Sequence, residues 1–254
     1  MIVPDFTTVI FIIFISLLIS SIAFVKKVLD EGGSVLAFLI CFISGTLGHW
    51  TWLLVLLIFV GSSFLATRFA IVYKKALGVE ESDEGTRGAS NVISNGIVPA
   101  FIALIYSMGL LNPEQALVAF TTSVAAATAD TMASEIGVLS PSPVMITNLR
   151  QKVEPGTDGG VSMEGTLASF LSSISISMIS FSAFLLLIEE NHAFNSIFKV
   201  NFLYISAFFG FFGSIIDSFL GATLENKGFL SNGGVNLCSL MSTVIFSLLI
   251  LALF

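Results

Sequence analysis

Charge is what this sequence has least of. Only 11% of its 254 residues are Asp, Glu, Lys or Arg, where a soluble domain carries about 25%, and the mean hydropathy is +0.98. A surface so poor in charge faces lipid, which excludes a soluble enzyme. Cysteine is nearly absent. Cys41 and Cys238 both lie inside apolar runs, where they read as small packing residues and exclude a disulfide scaffold. The two histidines, His49 and His192, are far apart and give no basis for a zinc site. Ten basic residues stand against seventeen acidic ones, a net charge of −7, so the basic footprint of a nucleic-acid partner is missing. What is present is apolar: 55% of the chain is hydrophobic, with 25 Phe. The chain reads as a polytopic membrane protein.

A spanning helix needs about 20 largely apolar residues. Such runs occupy 6–25, 35–47, 51–66, 92–111, 115–139, 165–188, 201–221 and 235–254. The expected fold is an all-α, polytopic transmembrane bundle forming one domain over 1–254. It has about eight spans, or six plus a re-entrant hairpin built from the short second run and the third. The first run is not read as a signal peptide: Asp5 is the only charge before it, and Lys26-Lys27 follow it.

Basic residues set the expected orientation. With the N-terminus outside, Lys26, Lys27, Arg68, Lys74, Lys75, Arg87, Arg150, Lys152 and Lys227 fall inside and only Lys199 outside. Lys74 and Lys75 are taken as solvated and orientation-setting. The long polar segments, near 67–91, 140–164 and 222–234, all fall on the cytoplasmic side, and long loops are where function concentrates. The acidic stretch 80–84 reads as a solvated linker. The working face is expected to be cytoplasmic, in a multi-pass protein of the cell membrane.

Acids inside spans are functional candidates by default, because burying them in lipid is costly. Asp130 and Glu135 sit near the inner end of the fifth run, in Ala129-Asp130-Thr131-Met132-Ala133-Ser134-Glu135-Ile136-Gly137. Five residues apart, they project about 140° from each other on a helix, so each needs partners from other helices. Close packing of small residues is the plainer alternative; it accounts for the alanines and not for Asp130. Asp217 is a third such acid, in the seventh run.

Loop residues complete the set. Arg150 and Lys152 precede the glycine turn Gly156-Thr157-Asp158-Gly159-Gly160, able to present N–H groups to phosphate, and Glu164 opens the next helix. The alternative there is helix initiation by Ser162 and Glu164. Arg87, Asn91 and Asn95 open the fourth run, and Asn232 and Asn236 the eighth; these asparagines are substrate candidates or simple helix caps. The spacing matches no Walker A loop. Asp130, Glu135 and Asp217 are the expected ligands of Mg²⁺, which binds through one or two carboxylates together with substrate phosphates.

The blocks Lys27-Val28-Leu29-Asp30, Ser63-Phe64-Leu65-Ala66-Thr67-Arg68, Arg87-Gly88-Ala89-Ser90-Asn91, Ala129–Gly137, Pro155–Ala168, Leu220-Gly221-Ala222-Thr223 and Asn232-Gly233-Gly234-Val235-Asn236 resemble an uncharacterised integral-membrane family that includes plant phytyl-phosphate kinase. A more distant likeness is to dolichol and phytol kinases and to CTP-using lipid cytidylyltransferases. Their Asp-x-x-Ala-x-x-x-Gly pattern is matched by Asp130, Ala133 and Gly137, and their Glu-Gly-Ser/Thr by Glu164, Gly165 and Thr166. Val161 stands where those kinases often carry a Lys, leaving Arg150 and Lys152 to stand in for it. The resemblance implies transfer of phosphate from CTP, or another nucleoside triphosphate, onto an isoprenoid monophosphate of the phytyl or geranylgeranyl type. The expected catalytic acids are Asp130 and Glu164, which match those motifs, together with Glu135 and Asp217, which are read from their place in the spans. The alternatives are a prenol kinase, a lipid-phosphate cytidylyltransferase, and an ion-coupled transporter with the acids as its relay.

Overall fold

Several helices begin where a polar side chain takes up the first free N–H groups. Asp5 accepts from the Thr8 N–H at 2.8 Å and opens α1, Phe6–Val25. Asp30 accepts from Gly33 at 2.6 Å and opens α2, Glu31–Ile43. Asn112 and Gln115 form a reciprocal capping box, with Pro113 in the first turn, at the start of the helix Pro113–Gly137. The computed structural model describes residues 5–78, 86–187 and 196–253.

In those residues α2 runs into a π-helical turn, Ser44–Gly48, and is followed by α3, Trp52–Arg68. The short α4, Ile71–Leu77, folds back from α3 through a bend of 58°, made at Ala70 with its left-handed φ of 54°. Then come α5, Ala89–Ser107, α6, Pro113–Gly137, α7, Met163–Leu187, α8, Ser196–Leu220, a second π-helical turn, Gly221–Glu225, and α9, Asn232–Leu251. Seven stretches are long and apolar enough to cross a membrane, and eight when α3 is taken with α4. The polytopic helical bundle expected from the hydrophobic runs is what the chain forms. The expected linker at 80–84 and the outer loop containing His192 lie outside the described residues.

The middle of the bundle belongs to α6, 83% of whose apolar window is buried. It packs against α3, α5, α7, α8 and α9. Its alanines make this possible: a Cβ on Gly210 would sit 2.6 Å from the Ala125 Cβ, and one on Gly213 2.6 Å from that of Ala126. Small residues therefore bring α6 and α8 to backbone contact, as the packing alternative anticipated. Hydroxyls tie α7 to both of these helices, with Ser169 to Ser214 of α8 at 2.5 Å and Ser180 to Thr121 of α6 at 2.6 Å. The outer helices keep large apolar side chains exposed, among them Phe14 and Leu17 of α1.

Between α6 and α7 the chain departs from an all-helical pattern. Val144–Met145 (β1), Asn148–Lys152 (β2) and Gly160–Val161 (β3) form a small antiparallel sheet in the order β2-β1-β3. This sheet carries the glycine turn toward the bundle.

Candidate functional site

The two acids of α6 diverge, as their spacing requires, and each meets a different set of helices. Glu135 is buried. One oxygen accepts the Thr67 hydroxyl from α3 and lies 3.4 Å from Arg87 Nη2; the other accepts Lys74 Nζ at 2.7 Å. Lys74 also donates to the Ala66 carbonyl at 2.9 Å. Lys74 is only 1% exposed, which corrects the expectation of a solvated, orientation-setting lysine. The fold-back at Ala70 lays α4 against the end of the bundle and directs Lys74 inward, while Lys75 stays exposed. Both Glu135 oxygens are thus taken up by donors, two of them cationic. A carboxylate so neutralised is a poor metal ligand, so its expected metal role is not supported by its surroundings.

Arg87 is set in place by the first sequence block. Its N–H bonds the Val28 carbonyl at 2.9 Å, and its carbonyl accepts from Asp30 N–H at 3.1 Å, forming a bridge between Leu29 and Arg87. Its guanidinium donates to Thr67 at 3.2 Å and to Asn91 Oδ1 at 3.3 Å. Asn95, one turn further, donates to the Asn91 carbonyl at 3.0 Å.

Asp130 faces the other way. It shares a cavity wall with Asp217 of α8, and Asp217 Oδ2 accepts from the Ser239 hydroxyl of α9 at 3.1 Å. Two carboxyl groups facing one space favour a shared proton or a cation between them. The pair opens on a cavity of about 470 Å³ whose lining also includes Glu135, Glu154, Gly156, Thr157, Asp158, Glu225 and Asn232. The glycine turn roofs it by docking on the second π-helical turn. Asn226 donates to the Asp158 carbonyl at 3.1 Å. Gly159, at φ +77°, comes so near that a Cβ there would lie 2.4 Å from the Ala222 Cβ.

The structure therefore gathers Asp130, Glu135, Asp217, Gly156, Thr157, Asp158 and Asn232 around one cavity. It does not bring the others there. Arg150 and Lys152 stand exposed on β2 and do not line it. Glu164 is exposed on a separate open groove at the start of α7, where Ser162 caps the helix by accepting from Gly165 at 3.1 Å. Asn236 is buried one turn beyond Asn232. The cap of α9 is Ser231, which accepts from Gly234 at 3.3 Å, so Asn232 is not needed for capping. Glu154, Glu225, Thr67 and Lys74 were not singled out from the sequence, although Thr67 lies inside one of the recognised blocks. Among the described residues no three His, Cys, Asp or Glu side chains are placed to hold a metal together; the acids come as a pair.

The sequence matches Integral membrane protein DUF92 over residues 14–244. The chain belongs to this family. The resemblance read from the motifs, to an uncharacterised integral-membrane family, is thereby borne out. Relatives include an uncharacterized membrane protein of Methanocaldococcus jannaschii, 31% identical over 86% of this chain and 82% of its own length. Protein PGR of Arabidopsis thaliana is 29% identical over 90% of this chain and 82% of its own. Protein VTE6, chloroplastic, also of Arabidopsis thaliana, is 32% identical over 45% of this chain and 35% of its own. No solved structure matches the chain. As a DUF92 member it is an integral, multi-pass membrane protein.

Proposed function

We propose that this protein is a kinase of isoprenoid phosphates, using CTP or another nucleoside triphosphate to convert a phytyl- or geranylgeranyl-type monophosphate into the diphosphate. The observation that carries the reading is the convergence of Asp130 and Asp217, from two helices, on the wall of one membrane-protein cavity of about 470 Å³. Membership of the family containing plant phytyl-phosphate kinase supports the choice of substrate.

Mg²⁺ fits the paired acids, because it commonly binds through two or fewer carboxylates and takes its remaining ligands from water and substrate phosphates. Asp130 and Asp217 would hold it, with Asp158 and Glu225 beside them. When bound, it would neutralise charge on the transferring phosphoryl group. The reaction itself asks little covalent chemistry of the protein. An oxygen of the acceptor phosphate attacks the terminal phosphorus of the triphosphate. The new P–O bond forms as the bond to the bridging oxygen breaks, and the nucleoside diphosphate leaves. The acceptor is already anionic and needs no general base, so the acids serve binding and positioning.

The glycine turn would offer N–H groups to the triphosphate, and Arg150 or Lys152 would meet it from β2. Glu135 would hold Lys74 and Arg87 in position instead of binding metal. The orientation read from the basic residues would put the cavity on the cytoplasmic side of the cell membrane, where nucleotides are. The test is purified protein with labelled CTP and ATP, with and without Mg²⁺, against a panel of prenols and prenyl phosphates. Labelled prenyl diphosphate is expected. Labelled monophosphate from a prenol, or a nucleotidyl lipid with release of pyrophosphate, would replace the reading by one of its enzyme alternatives.

A further inference from the structure

The open groove at the start of α7 and the acidic cavity are distinct spaces joined by a third. The groove, about 670 Å³, runs from Ser140, Ser142 and Glu164 to Leu167, Phe170 and Phe211. Met163, Leu167 and Phe170 follow one another at helical spacing and are all exposed; on a helix fit to span a membrane, that face meets lipid. Phe170 meets Phe211 of α8 edge to face at 5.5 Å, so the groove has an aromatic wall shared by two helices. Beside it is a neck of about 70 Å³ between α6, α7, α8 and β3. Val161, Ser162, Thr166 and Phe211 line both groove and neck. Ala133, Ser134, Gly160 and Ser218 line both neck and acidic cavity. Shared walls on either side make the neck the connection between them, and among the described residues no charged side chain lines it.

We propose that this route is the lateral entry for the lipid acceptor: its phosphate passes the neck into the acidic cavity, while its single hydrocarbon chain stays in the groove along α7. The inference rests on the kinase reading for the identity of the lipid, and it deepens that reading by giving the acceptor a path that ends where the triphosphate is placed. Chemistry selects the occupant at each level. Hydrocarbon suits Leu167, Phe170 and Phe211. Hydroxyls suit a phosphate in transit, because they offer hydrogen bonds without holding it as a cation would. Ser162 and Ser214 are engaged with Gly137 and Ser169; Ser134 and Ser218, which line the cavity as well, are the hydroxyls next to the reaction centre. Beyond them the charge of the phosphate is met by the Mg²⁺ that Asp130 and Asp217 would hold. Glu164 lines the groove and not the neck, so it borders the chain and not the bound phosphate. Size sets the second limit. At about 70 Å³, against about 470 Å³ for the cavity, the neck takes a phosphate carried on one chain and shuts out the branched glycerol backbone of a two-chain lipid.

The test is equilibrium binding of tritiated geranylgeranyl phosphate and of dimethylallyl phosphate, with Mg²⁺ and without nucleotide, to the protein in phosphatidylcholine nanodiscs, corrected for empty discs. Leu167, Thr166 and Leu17 are all exposed, so a tryptophan at each leaves the core untouched, and the melting temperature checks this. Leu167→Trp fills the groove and should weaken geranylgeranyl phosphate by about tenfold, the loss of roughly two buried methylenes. Dimethylallyl phosphate, whose chain is too short to lie along the groove, should be unaffected. Thr166→Trp obstructs the neck and should weaken both. Leu17→Trp, on the lipid face of α1, should weaken neither. Unchanged affinity for geranylgeranyl phosphate in Leu167→Trp, or for both ligands in Thr166→Trp, would overturn the assignment. So would equal displacement of the prenyl phosphate by dioleoyl phosphatidate, a two-chain bilayer lipid. Turnover of the unaltered protein with CTP is scored separately. The expected binding pattern without turnover would sink the kinase reading alone, and turnover without the pattern would sink this inference alone.

Discussion

Glu135 of α6 and Lys74 of α4 form an ion pair at 2.7 Å with side chains 5% and 1% exposed. A pair so buried is costly to assemble and costly to break, because either partner left alone is an uncompensated charge. It ties the folded-back α4 to the central helix beside the acidic cavity, which Glu135 helps to line.

Lys74→Ala should therefore destabilise the protein by about 3–5 kcal/mol, whereas Lys75→Ala, on the exposed face of the same helix, should change little. Lys74→Met combined with Glu135→Gln should recover part of the loss by removing both charges. Thermal unfolding in detergent measures all three. Equal, small shifts for Lys74 and Lys75 would contradict the buried pair.

The glycine turn gives a second stability test. Gly159→Ala introduces a Cβ at φ +77° and against Ala222, at a cost of about 1–3 kcal/mol for the backbone conformation alone. Adding Ala222→Gly should relieve only part of the collision, because the backbone N and Cα of residue 222 would still lie 2.7 Å from the new Cβ, and none of the backbone strain. Partial recovery of melting temperature is the expected result; full recovery would mean the turn adopts another conformation.

The extent to which the molecule was legible in its sequence follows from which forces act locally. The first span was read to the residue, Phe6–Val25, because Asp5 and Lys26 bracket an unbroken apolar run. Asp130 and Asp217 stood out because a charge in such a run has no neutral explanation, and the structure brings those two together. Lys74 did not stand out: beside Lys75 in a polar segment it looks solvated, and its burial depends on the bend at Ala70, which no local pattern announces. The sheet at 144–161 was missed for a similar reason. Two of its strands have only two residues each, and β2 is exposed throughout, so no alternation marks it. That exposure also left Arg150 and Lys152 outside the cavity that their sequence neighbours line.

The role proposed for Arg150 remains open to direct measurement. If it meets the nucleotide from β2, Arg150→Ala should weaken triphosphate binding about ten- to a hundredfold, the effect of one charged hydrogen bond. Arg150→Lys should give a smaller loss, since a point charge replaces a planar fork, and Lys75→Ala should give none. Equal, negligible effects at Arg150 and Lys75 would leave Arg150 as an orientation-setting residue only.

Orientation is tested by single-cysteine labelling in intact cells after Cys41 and Cys238 are replaced. A cysteine at Asp158 should resist an impermeant reagent from outside, and one at Asn191 should react. Labelling at Asp158 from outside would invert the topology and remove the cavity from the nucleotide pool.

The proposed chemistry depends on the carboxyl pair. Asp130→Asn and Asp217→Asn are close to isosteric and remove charge without removing volume, so each should abolish formation of prenyl diphosphate while leaving the melting temperature in detergent near that of the unaltered protein. Neutralising a carboxylate among other acids relieves repulsion, so a small gain in stability is equally in keeping with it. The decisive measurement is turnover of labelled nucleoside triphosphate by these two variants beside their thermal stability. Lost turnover in a folded protein is the predicted result; turnover retained in either variant would contradict the claim that Asp130 and Asp217 together form the reaction centre.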